Sequence, residues 1–316
     1  MGAAKLLQEK GVRTMFFRSL AEQIERLWLP SVAAILPSDE DKETYRWLGQ
    51  VSPMRVWTGT RHKTGLKVYE QIISNVKYEA TMEMMLDDLR QDKTGRLLPK
   101  VRDFAVRAAV LPQAEVTANV IVANATAYDG NALFFDRSSL TTGGGFHNDM
   151  SVANGDLMFN AVDAAAPTSE EMKSCILAMS SRMMSAVDDQ GEPTNADSKS
   201  FAIMAPHHLA PSVLAALRTE YTSAGVSNTL RDVTAGMSWT YNVLVNPRLT
   251  GNVFYMMRTD SAVKPLIWQE HTGVQWSYKD ESSDYAFDYD AVVYGIWRKG
   301  AAAPGEPSMI IRGTLT

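Results

Sequence analysis

The sequence contains a single cysteine, Cys175, among 316 residues. One thiol cannot form an internal disulfide framework, and it excludes a zinc site built from clustered cysteines. A reducing compartment is the simplest setting for such a chain. Long hydrophobic runs are also missing, because the most apolar stretch, Trp28–Leu36, is broken by Pro30 and Ser31 and falls short of the roughly 20 residues that span a bilayer. We therefore expect no membrane helix and no secretory signal peptide.

Charge is nearly balanced, with 31 Lys and Arg against 36 Asp and Glu and a net charge of −5. Hydrophobic residues make up 45% and charged residues 21% of the chain. These values are ordinary for globular proteins, and they exclude a disordered, collagen-like or low-complexity chain. The length predicts about two domains. A pI near 5.6 argues against a dedicated nucleic-acid-binding protein, although a local basic face stays compatible with it.

The common catalytic and cofactor-binding motifs are absent as well. The sequence has no phosphate-binding loop of the G-x-x-x-x-G-K-[ST] type, no G-x-S-x-G turn and no H-E-x-x-H motif. His207 and His208 are adjacent, so their side chains point in different directions and cannot chelate one metal well. The acidic stretch Asp284–Asp290 lacks the spacing of a calcium loop. The sequence therefore predicts no cofactor, no metal and no catalytic residue.

The first periodic segment predicts an amphipathic helix. Phe16, Leu20 and Ile24 recur at a spacing of four residues, charged residues occupy the other face, and Pro30 ends the segment. Two interpretations remain open at this point. The helix belongs to the chain's own core, or it is an arm that packs against a neighbouring subunit.

A basic hairpin is predicted next. Strand-like residues at Arg55–Thr60 and Leu66–Tyr69 flank a short connection that contains a glycine, after a polar connector at residues 37–53. The hairpin is rich in cations and has almost no core of its own. Because a two-stranded ribbon is marginal in isolation, it usually needs another surface to lie on.

Further along, Val76–Met84 alternates between apolar and polar residues, which is typical of a strand with one buried face. A long helical pattern follows from an N-cap at Thr94, and Pro112 predicts a kink or break in it. Thr168 and Glu171 form a capping-box pattern at the start of a second helix, over residues 168–187. From residue 237 onward short strands are predicted, at Tyr241–Val245, Val253–Met257, Pro265–Gln269, Val274–Tyr278 and Ala286–Tyr294.

Several blocks, collinear over nearly the whole chain, resemble the major head (capsid) proteins of Mu-like tailed bacteriophages and prophages. The blocks are Trp47-Leu48-Gly49-Gln50, Arg55-Val56-Trp57-Thr58-Gly59, Tyr78-Glu79-Ala80-Thr81 before Asp87-Asp88, Pro112 with Glu115, Tyr128-Asp129-Gly130 with Phe134-Phe135-Asp136, Lys264-Pro265-Leu266-Ile267-Trp268-Gln269-Glu270, and Tyr294-Gly295. The sequence departs from the family in one place. The family has a histidine soon after the Phe-Phe-Asp block, whereas here Arg137–Phe146 intervenes before His147.

The resemblance implies an α+β protein with the Hong Kong 97-type phage capsid fold. This fold has an N-terminal arm, an extended loop, a peripheral domain with a long spine helix, and an axial domain. The expected parts are an arm at residues 1–50, an extended loop at 51–75, a peripheral domain at 76–125 and 251–300, and an axial domain at 126–250 and 301–316. The late strands at 253–294 are expected to return to the peripheral sheet.

The resemblance also implies a structural role rather than an enzymatic one. Identical subunits would form pentamers and hexamers of an icosahedral shell that encloses double-stranded DNA in the virion, after assembly in the host cytoplasm. The expected partners are other copies of the chain, a separate scaffold or maturation protease, a portal, and DNA held by non-specific contacts. We expect the loop to contact neighbours through Trp57 as an apolar anchor and through its basic residues, and the arm to contact them through its apolar stripe. The assembly residues are Arg55, Trp57, Arg61, Lys63, Lys67, Phe16, Leu20 and Ile24.

Other interpretations stay open. A protein nanocompartment uses the same fold and would differ by enclosing protein rather than nucleic acid. A cytoplasmic enzyme with a nonstandard site around His207, His208 and Asp284–Asp290 would instead be a small oligomer with a pocket. A tail-tube or other virion protein is disfavoured by the long helix.

Overall fold

The computed structural model describes residues 9–48, 68–91, 97–138, 145–188, 191–221, 225 and 227–316. The helices, in chain order, are α1 Glu9–Ile24, α2 Leu29–Val32, α3 Leu86–Gln91, α4 Leu97–Glu115, α5 Ser169–Met184, α6 Ala210–Arg218, α7 Thr229–Met237 and α8 Asp284–Tyr289. The strands are β1 Ala33–Pro37, β2 Lys42–Leu48, β3 Val68–Ser74, β4 Val76–Met85, β5 Asp149–Ser151, β6 Ser200–Ala205, β7 Thr240–Val245, β8 Val253–Arg258, β9 Leu266–Lys279, β10 Ala291–Pro304 and β11 Ile310–Thr314.

The described strands form two larger sheets and one ribbon. The first sheet has the order β1-β9-β10-β4, the second has the order β5-β11-β8-β6-β7, and β2 pairs with β3 alone. Within the first sheet, β9, β10 and β4 are antiparallel and β1 is parallel to β9. Because helices and mixed sheets alternate along the chain without a regular βαβ repeat, the expected α+β class is confirmed.

The alternating strand is confirmed as β4, at the edge of the four-stranded sheet. Its apolar residues face the helices α1 and α4, where Met84 is 4% exposed, and they line up with β10 in an antiparallel register that pairs Met84 with Val292. On the same face Phe16 is fully buried, with its ring centroid 5.0 Å from that of Trp276 and 5.7 Å from that of Phe104. Aromatic packing of this kind fixes α1 and the spine helix α4 on one side of the sheet.

The spine helix is not broken at Pro112. The α-helix continues to Glu115 and then widens into a π-helical segment, Val116–Val122. A proline inside a helix has no N–H to donate to the carbonyl four residues earlier. That carbonyl, of Ala108, instead accepts a hydrogen bond from Nη1 of Arg298 on β10 at 3.2 Å. The sheet thus supplies the donor that the helix lacks, which lets the helix pass through the proline.

The predicted capping box is confirmed at the start of α5. The Thr168 side chain accepts from the Glu171 N–H at 3.3 Å, and the Glu171 carboxylate accepts from the Thr168 N–H at 2.8 Å. The apolar stripe of this helix packs on the five-stranded sheet and includes Cys175, which is fully buried. Burial raises the pKa of its thiol to about 12, as expected for a small core residue rather than a nucleophile.

The late strands differ from the expectation in two places. The two short strands expected at 265–269 and 274–278 are one continuous strand, β9. The first part of the strand expected at 286–294 is the helix α8, which begins because the Ser283 hydroxyl caps the Ala286 N–H at 3.2 Å. The helix ends at Asp290, whose φ of 50° lies in the left-handed region, and β10 begins one residue later.

The chain also changes sheet later than expected. The strand β8, expected in the peripheral sheet, lies in the five-stranded sheet between β6 and β11. Nearly every one of its residues is buried, which only a central strand covered on both faces allows. The chain returns to the four-stranded sheet at Leu266, and residues 301–304, expected in the axial domain, pair with β9 in that sheet. The division into arm, loop, peripheral and axial domains otherwise remains a prediction.

Two short connections between the larger sheets touch each other. One runs from β8 to β9 and the other from β10 to β11. The Gly305 N–H donates to the Pro265 carbonyl at 2.8 Å, and the Glu306 N–H donates to the Lys264 carbonyl at 3.1 Å. A Cβ atom on Gly305 would lie 2.2 Å from the Lys264 carbonyl oxygen. We call these four residues the crossing; its close approach requires glycine at position 305.

We expect Gly305→Ala to destabilise the subunit by about 1–3 kcal/mol or more, because the added methyl group collides with backbone that cannot move without separating the two connections. The measurement is the urea midpoint of the unassembled full-length chain. Gly236→Ala is the matched control, because a Cβ at that helical position meets nothing within 4 Å. The control should be neutral or slightly stabilising, since alanine favours the helix by up to about 1 kcal/mol. Equal midpoints for both variants would contradict the role given to the crossing.

Candidate assembly surfaces

A two-stranded ribbon flanks the segment that the sequence predicts as a basic hairpin. β2 pairs antiparallel with β3 from Lys42↔Ser74 to Leu48↔Val68. β2 thus lies inside residues 37–53, which the sequence predicts as a connector. Residues 49–67, between the two strands, lie outside the described residues.

The base of the ribbon is fixed to the four-stranded sheet. The Asn75 side chain donates to the Glu40 carbonyl at 2.7 Å and accepts from the Gln269 amide at 2.8 Å. Ile73 is 3% exposed and packs on β9 and β10, on the sheet face opposite the spine helix. Lys299 also pairs with Asp41, and this hydrogen bond and charge lower the pKa of that carboxyl. Contacts within one subunit therefore fix the base of the ribbon.

The outer face of the ribbon is uncovered. Ile72 is 65% exposed. The ion pair between Arg46 Nε and Glu70 Oε1, at 3.2 Å, has both side chains more than half exposed, so it contributes little to stability. An exposed β-branched side chain beside exposed charges, on a two-stranded ribbon, is a surface suited to pairing with another chain.

The five assembly residues expected in the loop all lie outside the described residues. They are Arg55, Trp57, Arg61, Lys63 and Lys67. Their contacts with a neighbouring subunit therefore stay a prediction. What the structure adds is the anchored pair of strands from which this segment leaves.

The three residues expected in the arm are divided by the structure. Phe16 and Leu20 are 0% and 7% exposed and belong to the core that the chain forms between α1, α4 and the sheet. The core interpretation thus accounts for the burial of these two residues within one chain. Ile24, at the end of α1, is 48% exposed and stays available to a neighbour. A contact between the arm and another subunit remains a prediction.

A second exposed apolar surface, missed by the sequence reasoning, lies beside the five-stranded sheet. It consists of Leu157, Met158 and Val162, which are 75%, 58% and 95% exposed, and we call it the 157–162 patch. The neighbouring Phe159 is fully buried and anchors the segment. The only hint in the sequence is an apolar triplet within a turn-rich region. Period analysis finds helices and strands, so it does not detect an exposed turn.

The 157–162 patch is held in one conformation by its own chain. The Val162 N–H donates to Glu171 Oε1 at 2.9 Å, and this bond, with those from Thr168, lowers the pKa of the Glu171 carboxyl. The Cys175 thiol donates to the Met158 carbonyl at 3.1 Å. The Ala161 N–H donates to the Thr316 carbonyl at 2.9 Å. A fixed apolar surface loses little entropy on association, which favours its use as an interface.

A third exposed surface lies on α8, next to the edge strand β4. Phe287 is 91% exposed, and the Tyr289 ring packs on the Tyr285 ring at 4.6 Å. The Tyr285 hydroxyl donates to Glu83 Oε1 at 3.0 Å, and that hydrogen bond raises the pKa of Tyr285. The acidic stretch singled out in the sequence is thus part of an exposed aromatic and acidic helix.

The groups proposed for a nonstandard enzyme site are not brought together. His207 and His208 directly follow β6 of the five-stranded sheet, with ring centroids 5.6 Å apart, whereas Asp284–Asp290 belongs to α8 beside the four-stranded sheet. Among the described residues, no three His, Cys, Asp or Glu side chains cluster closely enough to hold a metal ion. In the same part of the chain, no helix is long and apolar enough to cross a membrane.

One buried titratable cluster lies close to the crossing. Burial raises the pKa of Glu306, whose carboxylate accepts from the Tyr128 hydroxyl at 3.2 Å and from the Ser308 hydroxyl at 2.9 Å. Burial likewise disfavours ionisation of Asp129. Arg137 outweighs this effect, because its Nε donates to Asp129 Oδ2 at 2.6 Å and its charge stabilises the carboxylate, so the pKa of Asp129 is lowered. Each charge has a partner within the cluster, so the cluster supports the fold near residues 128–137 rather than an open reaction site.

The chain resembles known proteins in both sequence and structure. The model of the family described as "Mu-like prophage major head subunit gpT" matches residues 6–165, just over half of the chain. The major capsid protein of Escherichia phage Mu is 29% identical over 108 residues, which cover 34% of this chain and 35% of that protein. The match thus spans about a third of the length of this curated relative.

Solved capsid structures resemble the whole chain. The capsid of Myoviridae phage XM1 has a TM-score of 0.53 and 13% identity, and the likeness covers 89% of this chain and 90% of the other. A virus-like particle from Pyrococcus furiosus has a TM-score of 0.53 and 10% identity, with 96% and 98% covered. At these identities the likeness shows the fold, which is the Hong Kong 97-type capsid fold.

The family match includes the anchored ribbon, the spine helix and the segment through the 157–162 patch, and the structural likeness extends over the rest of the chain. The chain belongs to the Mu-like prophage major head subunit family.

Proposed function

We propose that this chain is the major capsid protein of a Mu-like tailed phage or prophage, and that identical copies assemble into an icosahedral shell around double-stranded DNA. The observation that carries the proposal is the family match across the arm, the ribbon and the spine helix. The family and the fold are those of capsid proteins rather than of enzymes. The protein would act as part of the virion after assembly in the host cytoplasm.

The described surfaces support assembly from many copies. The ribbon, the exposed end of α1, the 157–162 patch and α8 each present apolar side chains on different elements. Subunits in rings of five and six use two different surfaces for each contact, because each copy is joined head-to-tail to the next. Many modest contacts then add through avidity, so that a closed shell holds subunits that a single contact would release.

The proposal also names partners. Besides other copies of itself, the chain would meet a separate scaffold or maturation protease, a portal and packaged DNA. A second candidate is a shell of the same fold that encloses protein instead of DNA; a virus-like particle from Pyrococcus furiosus shares that fold over nearly all of both chains. The two candidates share a fold and differ in cargo.

Size-exclusion chromatography and negative-stain microscopy of the full chain near neutral pH test the proposal. We expect closed shells tens of nanometres across, either from the chain alone or after co-expression with a scaffold partner. Nuclease-resistant DNA inside the shells distinguishes a phage head from a protein-filled compartment. Small oligomers that persist even with the scaffold would overturn the proposed function.

We expect Arg61→Glu with Lys63→Glu to weaken assembly, because the basic loop would then repel the surface that it binds. Reversal of two charges costs about 1–2 kcal/mol per contact, which raises the critical concentration for shell formation about 5- to 30-fold. Light scattering against protein concentration measures this. The control Arg61→Lys with Lys63→Arg keeps the charge and should assemble normally. An unchanged critical concentration in the reversed variant would rule out the electrostatic part of the contact.

We expect Leu157→Asp with Val162→Asp to leave the subunit folded and to block assembly. Both side chains are exposed in the single subunit, so the substitutions leave its core intact. Each buried side chain of this size contributes about 1.5–3 kcal/mol to an interface, so the critical concentration should rise about 100-fold or more. Circular dichroism checks the fold. The control Leu157→Met with Val162→Ile keeps the patch apolar and should form shells, whereas normal assembly of the aspartate variant would place the patch outside every interface.

A further inference from the structure

The groove between α1 and the spine helix α4 is basic, although the chain as a whole is acidic. The groove is about 720 Å³ in volume, and its charged lining consists of Lys10, Arg18, Arg26 and Arg102 against the single carboxylate of Glu22. The whole chain carries a net charge of −5. Cations are therefore concentrated on this face, which lies on the outside of the helix layer and away from the sheet.

Little within the groove neutralises these cations. Arg18 Nε pairs with Glu22 Oε1 at 3.0 Å, but the Arg18 side chain is 80% exposed, so water screens the pair and the guanidinium keeps donors free for a ligand. Beyond the groove, the exposed surface of the same two helices adds Arg13, Lys100 and Arg107 against Glu25 and Asp103. Lys100, Asp103 and Arg107 lie on the side of α4 toward β4, outside the groove.

The lining fits a phosphate backbone better than a folded partner. Protein interfaces depend on buried apolar or aromatic anchors, and the apolar stripe of α1 is already committed to the core. Among the described residues that line the groove, Met15 and Val106 alone have larger apolar side chains. Long, flexible cations on an open surface are instead what sequence-independent phosphate contacts use.

The spacing along α1 suits a duplex. Lys10 and Arg18 are eight residues apart, which is about 12 Å along the helix axis. A duplex of that length carries about seven phosphate charges. Arg102 lies on the opposite wall of the groove. Both helices therefore present cations to a phosphate backbone that lies along the groove.

We propose that the groove between α1 and α4 binds the phosphate backbone of packaged DNA, and that this face of the helix layer lines the inside of the shell. The inference rests on the proposed function and goes further by assigning the DNA-facing surface. It requires no sequence preference, because every contact is made to phosphate.

The test is fluorescence anisotropy of a labelled 30-base-pair duplex titrated with the full-length chain below its assembly concentration, over a range of salt. Each phosphate contact contributes about 0.9 to the slope of log affinity against log salt. Arg18→Gln with Arg102→Gln should lower the slope by about 1.8 and weaken binding at low salt. Lys10→Gln with Arg102→Gln repeats the test without releasing Glu22 from its ion pair.

The matched control is Arg218→Gln with Arg231→Gln, which removes two exposed cations from α6 and α7. This control should keep the wild-type slope. An unchanged slope in both groove variants, absence of duplex binding by the wild type, or stronger competition by polyglutamate than by unlabelled duplex of equal charge would overturn the inference. Shell formation is scored separately by microscopy, so variants that form shells but keep the wild-type slope would refute the DNA surface and leave the proposed function intact.

Discussion

The structure depends on a close contact between two backbone segments. At the crossing, Pro265 and Gly305 lie side by side, and the hydrogen bonds there hold together the β8–β9 and β10–β11 connections between the larger sheets. β8 and β9 continue into one another through the first connection, and β10 and β11 through the second. The cluster around Glu306 and Tyr128 fills the adjoining space with partnered polar groups. A side chain at position 305 would separate the connections, so the geometry of the subunit requires glycine, which has no Cβ, at this position.

The sequence predicted the elements whose signals are local. β4 alternates strictly and α5 carries its capping box, so both were found close to their observed bounds. The sequence does not predict β2 as a strand, because its charged and polar residues show no local period. Its partner strand lies some 26 residues later in the sequence. The sequence predicts a strand at residues 286–289 of α8, because aromatic residues favour strands. The Ser283 cap instead begins a helix there.

The candidate surfaces were harder to predict than the fold. The stripe of Phe16 and Leu20 shows that a helix buries one face, but not which chain covers that face, and here the chain's own sheet does so. The 157–162 patch has no periodic signal at all. The basic groove arises only when two helices some 80 residues apart lie together, so that Arg18 and Arg102 share one surface while the overall composition stays acidic. The residues alone leave contact with a neighbouring subunit as one of two interpretations of α1, and the resemblance to a family adds the expectation of a closed shell.

Because of the position of β11, the five-stranded sheet can be completed only late in synthesis. β11 lies between β5 and β8, yet it follows both along the chain, so the five-stranded sheet stays open until residues 310–314 have left the ribosome. The 157–162 patch is also completed late, because the Ala161 N–H donates to the Thr316 carbonyl and the Phe159 carbonyl accepts from the Thr316 N–H. Translation proceeds at about 5–20 residues per second, so nascent chains on one messenger spend many seconds side by side. Until Thr316 has been made, each chain lacks the hydrogen bonds that fix the patch, so an interface that needs the finished patch cannot form between nascent neighbours.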